Sequence, residues 1–425
     1  MTEIDRRTAD VVVVGAGLAG LTAAIRLAEA GLRVVTVAKG LGSIRLSPAT
    51  IDILGYGPDL VHEPARELQG FLSAHPGHPY SLVSPVQLAA SVQWLKEHTD
   101  GTAYVGDPDA NMLLPTALGV PRPSAVVPET MAAGDIRKSR SVAVAGFSVL
   151  KDFQPDLAAE NLQAAAAALG FGMTVRPLHL NTRVNGEADV SSLALARRLE
   201  DTAFRNAVAA ELTAGLRDED AVGLPAVLGL DHAASVWSDL QAMVGRPVFE
   251  IPTVPPSAPG MRLAKVLQDR LRHAGGRLVL GSEVVGAEVQ GGQLAGVRVK
   301  TAARQLAWMC RWVVLATGGF ASGGLALDLS GAVSETALGL PVSGPPPDEP
   351  LFLPRYLDEH PMGSVGLKVD PLLRPLAYDG EPVHPNLYAA GAVIGGARPA
   401  REKSGDGISL STGYLAAGII LQEAG

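Results

Sequence analysis

An α/β fold is predicted by three stretches of this 425-residue chain. Near the start, "VVVV" runs into "GAGLAG" and then into "LTAAIRLAEAG". Three-quarters of the way along, "WVVLATGGF" is a second apolar strand that ends in small residues. Close to the end, "NLYAAGAVIGG" precedes a loop and then "GDGISLSTGYLAAGIILQEAG". Short, uninterrupted apolar runs are what parallel strands covered on both faces require.

Residues 11–14 are the first such strand. Leu21, Ala24, Ile25, Leu27 and Ala28 recur after it at helical spacing, and Gly31 stops the helix. "RVVTV" is the next strand, completing a βαβ unit of about 30 residues. Residues 40–57 are punctuated by Gly, Ser and Pro. The middle of the chain, 81–251, carries helical patterns in "PVQLAASVQWLKEH", "DLAAENLQAAAAALG" and "SSLALARRLEDTAFRNAVAAELTAGL", with Pro-rich turns between and no second glycine-rich phosphate motif. It is predicted to be an inserted α+β cap domain on the substrate side. Residues 1–80 plus 252–425 then form one discontinuous Rossmann-like domain. "EIPTVPPSAPG" returns as an extended linker, because its prolines exclude a helix interior. "MRLAKVLQDRLRHAGG" is a helix closed by Gly275 and Gly276. "RLVLGSEVVGAEVQGGQLAGVRVK" alternates as strands about a hairpin turn at Gly291 and Gly292.

Composition narrows the function classes. The chain is 47% hydrophobic, enough for a large core, and its formal charge of −8 offers no global attraction to nucleic acid or anionic lipid. A single cysteine, Cys310, excludes an internal disulfide, an iron–sulfur cluster and a cysteine-based zinc site. The histidines show no spaced cluster, so no metal is expected. No stretch reaches the ~18 uncharged apolar residues of a membrane span, and the opening residues lack the pattern of a secretory leader. A cytoplasmic protein without direct membrane insertion is expected.

Gly15, Gly17 and Gly20 follow the G-x-G-x-x-G pattern, with Leu18 and Ala19 between them. The first glycine permits the tight turn, the second lets the backbone approach a pyrophosphate, and the third allows close helix–strand packing; the helix N-terminus faces the phosphate. At the end of the next strand an acid commonly grips a ribose, but here stand Ala38, Lys39 and Gly40. The Ala316-Thr317-Gly318 turn after one strand and Gly391-Ala392 after the last strand make the pattern one of two-dinucleotide-binding flavoproteins. In these, the final helix points its N-terminus at the flavin ring, here with Gly407, Ile408 and Ser409 at its start. "SIRLSPATIDIL" lies where a segment crosses the cofactor, making Ser47 a candidate contact, with Ser43 and Thr50 beside it. Val285, next to Val284, falls on a strand expected under an adenine.

The chain resembles the B-type subunits of bacterial anaerobic glycerol-3-phosphate dehydrogenase, within the wider group of fumarate reductase-like flavoproteins. The resemblance covers nearly the whole chain. It is carried by the glycine-rich opening, "RLSPATIDILG", "VGLPAVLGL", "FEIPTVPPSAPGMRL" and "NLYAAGAVIGGARPAREKSGDGISLSTGYLAAGII". The glycine and Ala-Thr-Gly elements are widespread among flavoproteins. The Ser-x-x-x-x-Asp-Ile-Leu and Pro-Thr-x-Pro-Pro-Ser-x-Pro-Gly stretches are more specific.

The resemblance implies a flavin subunit that takes part in oxidising sn-glycerol 3-phosphate to dihydroxyacetone phosphate and passes electrons towards quinone. It implies FMN as the cofactor, which suits the missing acid, since FMN has no adenosine ribose. FAD, with its ribose held by backbone or water, is the alternative. The implied partners are an FAD-bearing dehydrogenase subunit and an iron–sulfur membrane-anchoring subunit, which would hold the chain at the inner face of the membrane. In the fumarate reductase-like group a comparable place supplies substrate-side groups. On that basis Arg355, His360 and Arg398 are the catalytic candidates, with Arg401 near them. Two other readings stay open: a stand-alone fumarate reductase-like oxidoreductase, and a flavin-holding scaffold without its own chemistry.

Overall fold

A computed structural model describes residues 5–184, 186–302, 304–346 and 349–425. Its centre is a five-stranded parallel sheet in the order Arg277–Leu280, Val34–Ala38, Val11–Val14, Trp312–Leu315 and Leu387–Ala389. Every residue of the three middle strands is buried, which is why they read as unbroken apolar runs. The first and last parts of the chain meet here: Val11 pairs with Trp312, and Val313 with Leu387.

Two helices cover one face. Leu18–Glu29 follows the glycine turn and Gly405–Ala424 closes the chain. They cross at Gly413, where a Cβ would lie 2.3 Å from the Ala19 carbonyl oxygen. Only a glycine permits that approach, which lays the middle of the last helix against the start of the first. The far end of the second helix is tied down by Glu423, whose carboxylate accepts from the Tyr388 hydroxyl at 2.7 Å and from the Trp312 indole at 3.0 Å.

A second sheet, Asp5–Thr8, Gln305–Met309, Gln293–Lys300 and Glu283–Gln290, packs into the same core. Its last two strands form a hairpin whose turn residues Gly291 and Gly292 have φ of 59° and 81°, the left-handed values of a tight hairpin turn. Asn386 is buried between the sheets, donates its amide hydrogens to the Leu294 and Arg311 carbonyls, and accepts from Leu294 N.

The inserted region has its own core around a four-stranded parallel sheet in the order Val248–Ile251, Ala221–Pro225, Ser141–Phe147 and Thr174–Leu180. Its antiparallel pairing is confined to two short pairs, Tyr104–Gly106 with Val126–Pro128 and Met112–Leu114 with Arg122–Ser124. Helix Pro85–Glu97 packs into the first core rather than this one, through Leu88, Val92, Trp94 and Leu95. The pattern read as one helix over 191–216 is two, Ser192–Leu199 and Thr202–Gly215, because Asp201 caps the second by accepting from Phe204 N at 2.9 Å.

The units are joined by a buried ion pair. Arg262, on helix Ala258–His273, donates to Glu250 through Nη1 at 2.6 Å and Nη2 at 2.8 Å, and its Nε donates to the Gly229 carbonyl at 2.8 Å. Glu250 also accepts from Leu228 N and the Thr130 hydroxyl. Burial raises the Glu250 carboxyl, but the guanidinium and the two other donors outweigh it and hold the group below the usual carboxylate range. Among the described residues no helix is long and apolar enough to cross a membrane.

Candidate functional site: a glycine-lined cleft

At the edge of the parallel sheet a cleft opens above the C-terminal strand ends, where open α/β sheets bind their ligands. The structure brings Gly15, Gly17, Leu18, Ala19, Lys39, Gly40, Ala316, Thr317, Gly318, Gly391, Ala392 and Ser409 to its walls. The close fit is made by glycines. At Gly15, with φ of 115°, a Cβ would meet the Ala316 carbonyl at 2.1 Å, and at Gly20 one would meet the Gly15 carbonyl at the same distance. At Gly17 and Gly40 nothing lies within 4 Å, so their open faces leave room for a ligand. Neither the helix starting at Leu18 nor the one starting at Gly405 has a side-chain N-cap. At the first of these, whose Leu18 and Ala19 line the cleft, the first-turn N–H groups and positive dipole end are therefore available to anionic oxygens, whereas in the second Gly407 N already donates to the Asp52 carbonyl. Thr317 has a buried hydroxyl with no hydrogen-bond partner, a donor waiting for an acceptor in the cleft.

The acid that is missing after Ala38 is present in space. Glu283, at the start of its strand, lines the cleft and pairs with Lys39 at 2.5 Å. Strand Arg277–Leu280 runs parallel to Val34–Ala38, with Leu280 opposite Ala38, so the next residues arrive beside Lys39.

Five of the expected contacts are placed elsewhere. Gly20 serves helix–turn packing. Val285 is 38% exposed and off the cleft, which its neighbours Ser282, Glu283 and Val284 line instead. Ser47 turns its hydroxyl back to the Ile44 carbonyl and accepts from Ala49 N, stabilising its own turn. Gly42, Ser43 and Leu46 of the same segment do face the cleft. Gly407 packs against Tyr80 and the Asp52 carbonyl, and Ile408 is buried. The two more specific sequence stretches touch each other: Ser257 N donates to the Arg45 carbonyl at 3.2 Å, and Gly260 fits under the Ile44 and Ser47 carbonyls.

The catalytic candidates are not brought to this cleft. Arg355 is exposed. His360 uses both ring nitrogens within its own loop, accepting from Leu353 N at Nδ1 and donating to the Tyr356 carbonyl from Nε2. Arg398 pairs with Glu359 at 2.7 Å and borders a separate groove with Pro79, Ser364 and Gly396. Arg401 donates to the Leu357 carbonyl. These contacts hold the loop 351–364 against the turn before the last helix.

A charged group that sequence reading did not select packs against the start of the last helix, where Gly407 N donates to the Asp52 carbonyl at 3.0 Å. Asp52, 1% exposed, accepts from the Thr50 hydroxyl at 2.9 Å, the Ser124 hydroxyl at 2.7 Å, and Nε and Nη2 of Arg122. Asp406 lies next to this pair in the first turn of the last helix. Burial, then the Asp52 charge, raise its carboxyl to about 7 despite the nearby Arg122. The available signal was an aspartate between two isoleucines in "TIDIL", an acid that burial forces to find partners. Behind the cluster, His78 and Glu402 meet at 3.1 Å, and Glu402 also accepts from the Ser404 hydroxyl, fixing the entry to the helix.

Comparison with known proteins agrees with this geometry. The family model described as FAD binding domain matches residues 10–408. A Halobacterium salinarum protein, named as the probable B-type subunit of an anaerobic glycerol-3-phosphate dehydrogenase, is 34% identical over 98% of both chains. A Yersinia pestis protein, named as the B-type subunit of the same enzyme, is 32% identical over 97% of this chain and 98% of its own. Among solved structures, the 3-ketosteroid Δ1-dehydrogenase of Sterolibacterium denitrificans covers 98% of this chain and all of its own at 14% identity, with a TM-score of 0.47. The fold and cleft define a flavin-binding protein of the FAD binding domain family. The chain belongs to that family and, within it, to the group of B-type subunits of anaerobic glycerol-3-phosphate dehydrogenase.

Proposed function

We propose that this chain is the flavin subunit of an anaerobic glycerol-3-phosphate dehydrogenase complex and that the flavin lies in the glycine-lined cleft. The observation that carries the reading is the meeting of the uncapped N-terminus of helix Leu18–Glu29 and the unpartnered Thr317 hydroxyl in one cleft. When bound, a flavin supplies two-electron acceptance from a carbon-bound hydrogen. The chain's own part is to bind and orient it. Gly15, Gly17, Leu18 and Ala19 would hold the phosphates, and Thr317, Gly391, Ala392 and Ser409 the ring end.

The lining favours FAD. The cleft continues beyond the phosphate turn to Ala38, Lys39, Ser282, Glu283 and Val284, a surface that an adenosine would cover and FMN would leave bare. The absent acid that suggested FMN is offset by Glu283. With one cysteine, the chain needs a partner to carry electrons through iron–sulfur clusters. An FAD-bearing dehydrogenase subunit and an iron–sulfur subunit, the latter holding the complex peripherally at the cytoplasmic membrane, complete the reading. The test is to release and chromatograph the flavin of the purified protein, and to assay the co-expressed subunits for glycerol 3-phosphate oxidation with an artificial acceptor. A pure chain that neither carries nor takes up flavin would overturn the reading.

A further inference from the structure

We propose that a basic pocket between residues 41–45, the insertion and helix Ala258–His273 is a second ligand site, one that takes a small phosphomonoester. It is a cavity of about 260 Å³ whose lining includes Leu41, Arg45, Arg197, Met261, Lys265 and Gln268. The inference goes beyond the flavin reading and does not depend on it, because the pocket is separate from the glycine-lined cleft.

Three elements are pinned together there. On helix Ala258–His273, Met261, Lys265 and Gln268 stand at i, i+4 and i+7, so they share one face. The start of that helix holds the 43–47 turn: Gly260 lies under the Ile44 and Ser47 carbonyls, and Ser257 N donates to the Arg45 carbonyl at 3.2 Å. The Ser192 hydroxyl donates to the Pro256 carbonyl at 3.1 Å and so brings up helix Ser192–Leu199, which carries Arg197. Residues 40–46 form a wall shared with the cleft. Gly40, Gly42 and Ser43 line the cleft, whereas Leu41 and Arg45 line the pocket.

The pocket's donors lack acceptors. Among the described residues no hydrogen bond or ion pair reaches the side chains of Arg45, Arg197 or Gln268. Gln268 is only 9% exposed, and a buried amide without a partner is costly to keep. The other charged groups of the lining are engaged. Arg262 is taken up by Glu250 and the Gly229 carbonyl. Lys265 lies 3.1 Å from Asp269 and 3.8 Å from Asp231. Four cations and one carboxylate, Asp231, line this cavity in a chain whose formal charge is −8. Two guanidinium groups held at one small cavity without a counter-ion repel each other, and an anion between them relieves that cost.

The donor set selects the anion. Each guanidinium offers a planar fork of N–H groups that matches a pair of phosphate oxygens. Two forks and an amide outnumber the two oxygens of a carboxylate. A phosphomonoester has three terminal oxygens and close to two negative charges at neutral pH. Leu41, Leu230 and Met261 supply an apolar side against which a short carbon chain fits. Glycerol 3-phosphate is a molecule of this class.

The test is equilibrium dialysis of the full chain, with and without bound flavin, against radiolabelled glycerol 3-phosphate. The label should bind in both forms, unlabelled inorganic phosphate should displace it, and glycerol should not. Arg45→Gln and Arg197→Gln should each weaken binding on the order of tenfold, with flavin content and unfolding midpoint unchanged. Gln268→Glu, which sets a carboxylate among the donors, should abolish it. Should that variant fail to fold, the two arginine variants decide the matter alone. Label bound only by the flavin-free chain would lie in the glycine turn and would overturn the inference. So would wild-type affinity in both arginine variants, or a flavin-loaded chain that binds no label. Each of these outcomes leaves the flavin reading standing, since flavin content is read separately by absorbance.

Discussion

The ammonium of Lys39 lies 2.5 Å from the carboxylate of Glu283, at the cleft wall where strand Val34–Ala38 ends. The two residues come from opposite sides of the insertion and meet because strand Arg277–Leu280, which leads into Glu283, is the parallel neighbour of Val34–Ala38. A Lys–Glu pair this exposed contributes only ~0–1 kcal/mol to stability, so its consequence belongs to ligand binding. Glu283→Gln should leave the unfolding midpoint nearly unchanged and lower FAD affinity on the order of ten- to a hundredfold, while FMN affinity stays the same. Calorimetric titration of the flavin-free protein with each nucleotide reads this, and equal effects on both would refute it.

Glycines in the two crossing helices separate packing from binding. Gly413→Ala drives a methyl group onto the Ala19 carbonyl and should cost about 1–3 kcal/mol in denaturant unfolding. Gly17→Ala meets no protein atom and should unfold like the wild type, yet it should lose most of its flavin because the methyl group enters the cleft. Flavin retained at wild-type levels in Gly17→Ala would remove the phosphate from that turn.

The Glu250–Arg262 pair should behave as a buried joint. Glu250→Ala strands the guanidinium and should cost about 3–5 kcal/mol, whereas Glu250→Leu combined with Arg262→Met should cost clearly less. The pH sign follows from the lowered Glu250 carboxyl. Its contribution is complete above the unfolded carboxylate's range, disappears as pH falls through the lower folded value, and should show as acid unfolding that the double variant lacks. Urea titrations from neutral to strongly acid pH measure it.

Asp406 has the opposite sign. Its folded carboxyl titrates near 7 rather than at the ordinary 3.8, so the native state holds a proton that the unfolded chain has released. Stability is lost as pH rises through that window. Asp406→Asn should therefore stabilise the flavin-free protein, and more so at pH about 8 than at about 5. A variant less stable than the wild type at the higher pH would show that the carboxylate is held by partners after all.

Much of the fold was legible in the residues that obey local rules. The valine run, the glycine turn, the Gly291-Gly292 hairpin and the apolar strand at 312–315 announce themselves, because burial on both faces and positive φ each admit few residue types. Helices in the insertion were less clear. The 191–216 pattern hides the break at Asp201, where a cap wins over continued periodicity. The loop that carries His360 offered residues of catalytic type, but their bonds close on their own loop.

By itself, then, the sequence determined a parallel flavin-type sheet, the glycine turn and the helix that follows it, since those depend on contacts among near neighbours and on backbone conformations that glycine alone adopts. The tertiary structure alone decided which charges meet. Glu283 answers Lys39 across the sheet, Arg122 reaches Asp52 from the insertion, and Asp406 is left without a partner. Charge pairing acts through space over a few ångströms, and spacing along the chain carries no record of it.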